Sequence, residues 1–292
     1  MKKQTVSSLL ALRQSQQAIT WLTCYDYSFA SVLNRTDVDL ILVGDSGGMV
    51  LLGYSDTVPV SMDEMLFMCK AVRRGAPNKF IVGDMPKGSY EFSDEDAARN
   101  AMRFIKEAGC DAVKLEGGMA VASRIKAIRR AGIPVIGHIG LTPQTSSQFG
   151  GYRVVGKKEE ELEILLSDSS ALQESGVFGI LLEALPEKAA MRVTQSVNVI
   201  TFGIGAGPKV NGQLLILHDL LGLYPNFRPK FAKCYVPVVL PQFLEYLESF
   251  EDLIQLGRAN REDGFAKIAE LAINWFIKEV RNGNFPSEEY SY

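Results

Sequence analysis

Five short apolar runs in this 292-residue sequence each finish on an ionisable side chain. They are LILVG before Asp45, FIVG before Asp84, AVKL before Glu116, PVIG before His138 and FGILL before Glu183. A charged residue at one such end is ordinarily a capped turn or a surface group. Five in the same position resist that account, because burying carboxylates is costly unless something pairs with them. Asp45, Asp84 and Glu116 are hard oxygen donors from three successive runs, too many acids for mutual pairing, so a divalent cation is the natural partner. Oxygen ligation by few protein groups suits Mg²⁺, which keeps positions open for water or substrate. Lys114 precedes Glu116 by two residues, so both side chains leave a strand on the same face. It reads either as a salt bridge to one of these acids or as a cation for a substrate carboxylate or enolate, and the two are compatible. A lone histidine is usually structural, but His138, at a strand end beside four other polar groups, reads as a ligand-binding donor. His218, next to Asp219, reads as half of a structural pair.

Holding these residues together requires a repeating scaffold. The runs at 18–26, 40–45, 80–84, 112–117, 134–140, 178–184 and 199–207 are near-continuously apolar, as parallel strands buried on both faces should be. Amphipathic helices with clear start signals lie between them. Ser61 with Glu64 and Ser93 with Asp96 fit the capping box, and Ala97, Ala98, Ala101, Met102, Ile105 and Ala108 form one apolar stripe. Gly109, Gly132 and Gly176 follow helices in the place where a left-handed turn feeds the next strand. Seven βα units and a last helix at about 266–281 leave one strand to find, and QLLILHDLLGL (213–223) is the candidate, although its periodicity fits strand and helix alike. The expected fold is therefore α/β, a (β/α)8 TIM barrel forming one domain over 1–292, with an open doubly wound sheet as the alternative. In a barrel the C-terminal strand ends converge on the face that carries the active site. GIGAG at 203–207 lacks the dinucleotide spacing and its later acid, and reads as tight packing beside a ligand. A helical excursion at about 237–264 has no functional reading.

Composition narrows the remaining classes. Lysine and arginine number 31 against 34 acids, a net charge of −3, which argues against a nucleic-acid partner. Arg73-Arg74 and Arg129-Arg130 each precede a glycine closely and read as charges at helix C-termini. The cysteines, Cys24, Cys69, Cys110 and Cys234, are too scattered for a zinc site or disulfide framework and fit a reducing compartment. With no signal-peptide core and no membrane-length apolar run, the expected location is the cytoplasm.

At this point a family resemblance is legible. ITWLTCYDYSFA, ILVGDSGGMVLLGYSDTVPVSMDEM, AVRRGAPN, VGDMP, AVKLEGG, PVIGHIGLTPQ, FGGYRVVG, LLEALP, GIGAGP, PKFAK and the tail FPSEEYS occur in order along the chain. Together they resemble the ketopantoate hydroxymethyltransferase family. The resemblance implies a barrel of the phosphoenolpyruvate/pyruvate superfamily type, assembled as a homo-oligomer, usually a decamer. It implies transfer of a one-carbon unit from 5,10-methylenetetrahydrofolate to 3-methyl-2-oxobutanoate through a Mg²⁺-stabilised enolate, giving 2-dehydropantoate for pantothenate synthesis. Carried over by motif, Asp45 and Asp84 would hold Mg²⁺, with Glu116 completing or steadying the site. Ser46, Lys114 and His138, together with Asp45 and Asp84, would bind the oxo acid, and Glu183 would be the catalytic base. Gly47, Lys87, Asn211 and Tyr290 depart from the family pattern, and Lys87 puts pocket shape or folate contact in question. The rival readings are a Mg²⁺-dependent lyase or aldolase of the same superfamily acting on another 2-oxo acid, and a non-catalytic metabolite-binding barrel. LTPQ and FGGYRVVG favour the transferase over the first, and retention of every proposed site residue disfavours the second.

Overall fold

The computed structural model describes residues 3–225, 227–255 and 264–292. Its strands are β1 (Ile19–Thr23), β2 (Leu40–Val43), β3 (Phe80–Asp84), β4 (Ala112–Glu116), β5 (Val135–Gly140), β6 (Gly179–Glu183), β7 (Ile200–Ile204) and β8 (Gly212–Leu215). All pair in parallel with their sequence neighbours, and β8 pairs with β1 through Ile19 opposite Gly212 and Leu22 opposite Leu215. The sheet is closed, which excludes the open doubly wound alternative. The segment that fitted strand and helix alike is both: β8 is followed within two residues by a short helix.

The helices are α1 (Val6–Gln14), α2 (Tyr27–Arg35), α3 (Gly47–Val50), α4 (Met62–Gly75), α5 (Asp94–Ala108) and α6 (Ala122–Arg130). They continue as α7 (Glu159–Glu174), α8 (Glu187–Ser196), α9 (Leu217–Leu221), α10 (Val236–Gln255) and α11 (Gly264–Arg281). The excursion expected at 237–264 is thus helical through Gln255, and 256–263 lie outside the described residues. None of the described helices is long and apolar enough to cross a membrane.

Period-two alternation divides the strands between two cores. Trp21, Leu40, Leu42, Phe80, Val82, Ala112, Ile136, Leu181 and Phe202 form one cluster inside the barrel, joined by Leu9 of α1 near the strand starts. Leu22, Ile41, Ile81, Val113, Leu115, Val135 and Ile180 face the other way and pack under the helices. The inward series therefore runs Phe80-Val82-Asp84 on β3, Ala112-Lys114-Glu116 on β4 and Ile136-His138 on β5. Apolar layers fill the lower barrel, and polar groups sit where the same faces reach the top.

Local signals explain how the strands are seated. Ser61 and Glu64 make the full reciprocal box. At α5 only half forms: the Ser93 side chain accepts from the Asp96 amide, but the Asp96 carboxylate meets the Ser93 hydroxyl instead of its amide. Asp is one methylene shorter than Glu, which accounts for the difference. On α5 the deepest contact is Phe104, which the expected stripe omitted. A Cβ on Gly83 would stand 2.4 Å from the Phe104 ring, so only glycine lets α5 approach β3 this closely. Gly137 has the same relation to Leu172 of α7, at 2.8 Å. Each of these glycines immediately precedes an inward polar residue, Asp84 or His138.

Candidate active site

A cavity of about 500 Å³ opens at the C-terminal ends of the strands. Asp45, Ser46, Asp84, Lys114, Glu116, His138 and Glu183 all line it, so the residues expected to serve metal, substrate and proton transfer reach one place. Asp84, Glu116 and Glu183 close β3, β4 and β6, whereas His138 lies within β5 and Asp45 two residues past β2. Glu116 pairs in register with His138, and Asp84 with Lys114.

Lys114 is buried against the acids. Its Nζ stands 2.8 Å and 2.9 Å from the two Asp84 oxygens, and 3.6 Å from Oε1 of Glu116. The salt-bridge reading of Lys114 therefore holds. Asp84 also accepts from the Asp45 amide at 3.1 Å. Oε2 of Glu116 accepts from the main-chain N–H of Gln144 at 3.0 Å, and Oδ2 of Asp45 accepts from the Gln144 side-chain amide at 2.8 Å. On the other side His138 Nε2 lies 3.2 Å from Oε2 of Glu183, and Nδ1 lies 3.6 Å from Oε1 of Glu116. Neither contact is a hydrogen bond, and Oε1 of Glu116 and both His138 nitrogens make none among the described residues. Ser46 shares a hydrogen bond of 2.9 Å with the Tyr25 hydroxyl.

Burial governs protonation here. It pushes Asp84 up to about 7, with the Asp45 charge adding to the rise and Lys114 opposing it. It pushes Glu183 up to about 8, again against Lys114 and with Asp45. Glu116 is held well above the usual carboxylate range, by burial first and then by Asp45, Asp84 and Glu183, against the pull of Lys114. Burial alone would lower the Lys114 ammonium, but Asp84, Glu116 and Asp45 outweigh it and keep it above its ordinary value. His138 falls well below its usual value, through burial and then the Lys114 charge, so the imidazole is neutral. A carboxyl with proton affinity near neutrality, facing a cavity, is suited to general-base work.

The donor set also bears on the cation expected from the sequence. Among the described residues no three His, Cys, Asp or Glu side chains are arranged as a ready cage. Four buried or half-buried acids nevertheless share one lysine, and Oε1 of Glu116 accepts no hydrogen bond among the described residues. That excess of oxygen and negative charge fits an ion that takes one or two carboxylates and completes its shell from water and substrate, as Mg²⁺ does.

Besides these polar groups, Tyr152, Tyr224, Phe227, Phe231 and Tyr292 add an aromatic part to the lining, and Arg153 and Lys157 add positive charge to it. Ala184 adopts a left-handed backbone with φ of 50°, a conformation that disfavours residues with a Cβ. Its N–H donates to the Ile204 carbonyl and its own carbonyl accepts from Val155, tying the 150–156 loop to the residue after Glu183.

Sequence comparison decides the family. A family model described as ketopantoate hydroxymethyltransferase matches residues 3–258. The chain belongs to that family. The 3-methyl-2-oxobutanoate hydroxymethyltransferase of Heliobacterium modesticaldum is 45% identical, covering 100% of this chain and 96% of its own. That of Ignicoccus hospitalis is 46% identical, covering 99% of each. Among solved structures, 2,3-dimethylmalate lyase, a PEP mutase/isocitrate lyase superfamily member, superposes with a TM-score of 0.53 at 16% identity over 91% of this chain and 94% of that one. A phosphonopyruvate hydrolase complex with oxalate and Mg²⁺ gives 0.56 at 14% identity over 95% and 98%. At such identities these two show the barrel type alone.

None of the four departures from the hydroxymethyltransferase pattern, Gly47, Lys87, Asn211 and Tyr290, lines the cavity. Lys87 pairs with Glu91 at 3.0 Å and does not line the cavity. At Gly47 a Cβ would stand 2.7 Å from Tyr25 and 2.8 Å from Met68, which leave no room for a larger side chain there. His218 is not paired with Asp219: its ring packs 5.4 Å from Tyr25 and 6.0 Å from Phe29, while Asp219 lines the cavity. The sequence reading missed Gln144 and Tyr90. Gln144 stood within the quoted LTPQ motif, the one signal that pointed to it.

Proposed function

We propose that this chain transfers a hydroxymethyl group from 5,10-methylenetetrahydrofolate to 3-methyl-2-oxobutanoate, the 2-dehydropantoate-forming step of pantothenate synthesis. The observation that carries this reading is the convergence of Asp45, Asp84, Glu116 and Lys114 with Glu183 and neutral His138 on one cavity.

Asp45 and Asp84 would hold Mg²⁺, with Glu116 steadying it. When bound, Mg²⁺ draws electron density from the keto group and so acidifies the neighbouring C3–H. Lys114 offsets the charge of the acids and presents its ammonium to the substrate carboxylate, for which the Ser46 hydroxyl is a second donor. Glu183 takes the C3 proton, and His138 is placed to hydrogen-bond the Glu183 carboxyl as its charge changes. The electron pair left at C3 forms the new C–C bond to the folate methylene carbon as one of that carbon's two C–N bonds opens. Water then supplies the hydroxyl as the second C–N bond breaks, the folate nitrogens take up the proton removed from C3 and one from water, and tetrahydrofolate leaves. A small oxo acid needs only the polar groups of the cavity, and the aromatic side chains offer a stacking surface for the flat co-substrate.

The test is direct. Purified protein given Mg²⁺, 3-methyl-2-oxobutanoate and 5,10-methylenetetrahydrofolate should form 2-dehydropantoate, detected by mass spectrometry, and EDTA should abolish it. Absence of that product, with cleavage of some other 2-oxo acid instead, would replace this reading with a lyase.

A further inference from the structure

We propose that Gln144, locked by Tyr90, is the positioning residue that sets the spacing of the carboxylates at the cation site. This inference rests on the reading that Asp45, Asp84 and Glu116 serve Mg²⁺. Gln144 follows β5 in a 3₁₀ turn, Pro143–Phe149, and is itself 2% exposed. Every hydrogen-bonding atom of its side chain is engaged. Nε2 donates one hydrogen to Oδ2 of Asp45 at 2.8 Å and the other to the Met85 carbonyl at 3.0 Å. Oε1 accepts from the Tyr90 hydroxyl at 2.7 Å. The main-chain N–H of the same residue donates to Oε2 of Glu116 at 3.0 Å.

One residue thus grips two of the three acids, one through its side chain and one through its backbone. It also binds the chain just after Asp84 through Met85. The amide has only one workable orientation. Turning it over would set Oε1 against the Asp45 carboxylate and the Met85 carbonyl, both acceptors, and Nε2 against the Tyr90 hydroxyl. The Asp45 carboxylate and the Met85 carbonyl fix that choice, and Tyr90, whose hydroxyl donates to Oε1, anchors the amide from the far side. Tyr90 is itself buried, on a loop that Asn100 of α5 ties down through the Ser89 carbonyl at 2.7 Å. Both Asp45 and Glu116 keep one oxygen that Gln144 does not occupy, and these are the oxygens left to face an ion. Groups that orient ligands in this way commonly contribute 10–100-fold to metal affinity.

The test is calorimetric titration of Mg²⁺ into the full-length native chain and the variants Gln144→Met and Tyr90→Phe, each with 3-methyl-2-oxobutanoate present. Gln144→Met should raise the Mg²⁺ Kd by about 10–100-fold, and Tyr90→Phe should raise it by a smaller factor. In turnover assays both should need more Mg²⁺ for half-maximal rate, with kcat recovering towards the native value at saturating Mg²⁺. A merely structural role would lower Tm and leave the Kd of the folded fraction unchanged. Native Kd in the folded variants overturns the inference, and Tyr90→Phe alone decides it if Gln144→Met does not fold. No Mg²⁺ uptake by the native chain would instead overturn the cation reading on which the inference stands.

Discussion

Lys114 and Asp84 form a buried ion pair, and the consequences of changing each differ. Removing the lysine leaves the buried Asp84, Glu116 and Asp45 without their nearest countercharge. Breaking such a pair from one side typically costs about 3–5 kcal/mol, so Lys114→Ala should show that loss in urea denaturation of the metal-free protein. Asp84→Asn keeps the shape and removes the charge; it should fold, yet bind Mg²⁺ far more weakly by calorimetry in the presence of the oxo acid. Native affinity in that variant would remove Asp84 from the cation site. The types of these residues were legible in the sequence, since an acid that closes a buried apolar run must be paired, bound to a cation or engaged in chemistry. Gln144 was not legible as a site residue, because its partners lie 28, 54, 59 and 99 positions away and an amide carries no charge signature.

At the scale of the elements, the packing of α5 on β3 seats Asp84. Phe104 is fully buried over Gly83, the residue immediately before that acid. Phe104→Ala should cost about 3–5 kcal/mol and let β3 relax outwards, so its Mg²⁺ requirement should rise along with the loss of stability. Both are measurable on one preparation, and a destabilised variant with native Mg²⁺ dependence would separate this packing from the site. Strand positions and helix ends were readable here because alternation, caps and glycines are local. Phe104 was not, because its role depends on a glycine 21 residues earlier having no side chain. The 213–223 segment was ambiguous for a similar reason: a strand and a one-turn helix share it, and each is too short to impose its own period.

For the whole molecule, closure of the barrel brings the acids and the base to face each other, since β6 stands across from β2 in an eight-stranded ring. Gathering so many carboxyls in one interior has a global consequence. Asp84 at about 7, Glu183 at about 8 and Asp219 at about 6 all lie above their ordinary values near 4, chiefly through burial. The folded chain therefore keeps protons that the unfolded chain gives up, so the stability of the metal-free protein should fall as pH rises from about 4.5 to 8. The lowered His138 and His218 act in the opposite sense up to about pH 6.5 but are outnumbered by the raised carboxyls, Glu116 included, and the lowered acids Glu64, Asp94, Glu107 and Glu161 act below that window. Tm in EDTA should decline from pH 5 to 8, and Mg²⁺ should restore most of it at the upper end; a flat profile would contradict the crowding of acids. The most direct measurement concerns the proton step itself. Exchange of the C3 hydrogen of 3-methyl-2-oxobutanoate for deuterium can be followed by NMR with Mg²⁺ and without folate. The native protein should exchange it, and Glu183→Gln should still bind the oxo acid but exchange about 10²–10⁴-fold more slowly. Equal exchange rates in the two proteins would show that Glu183 is not the base.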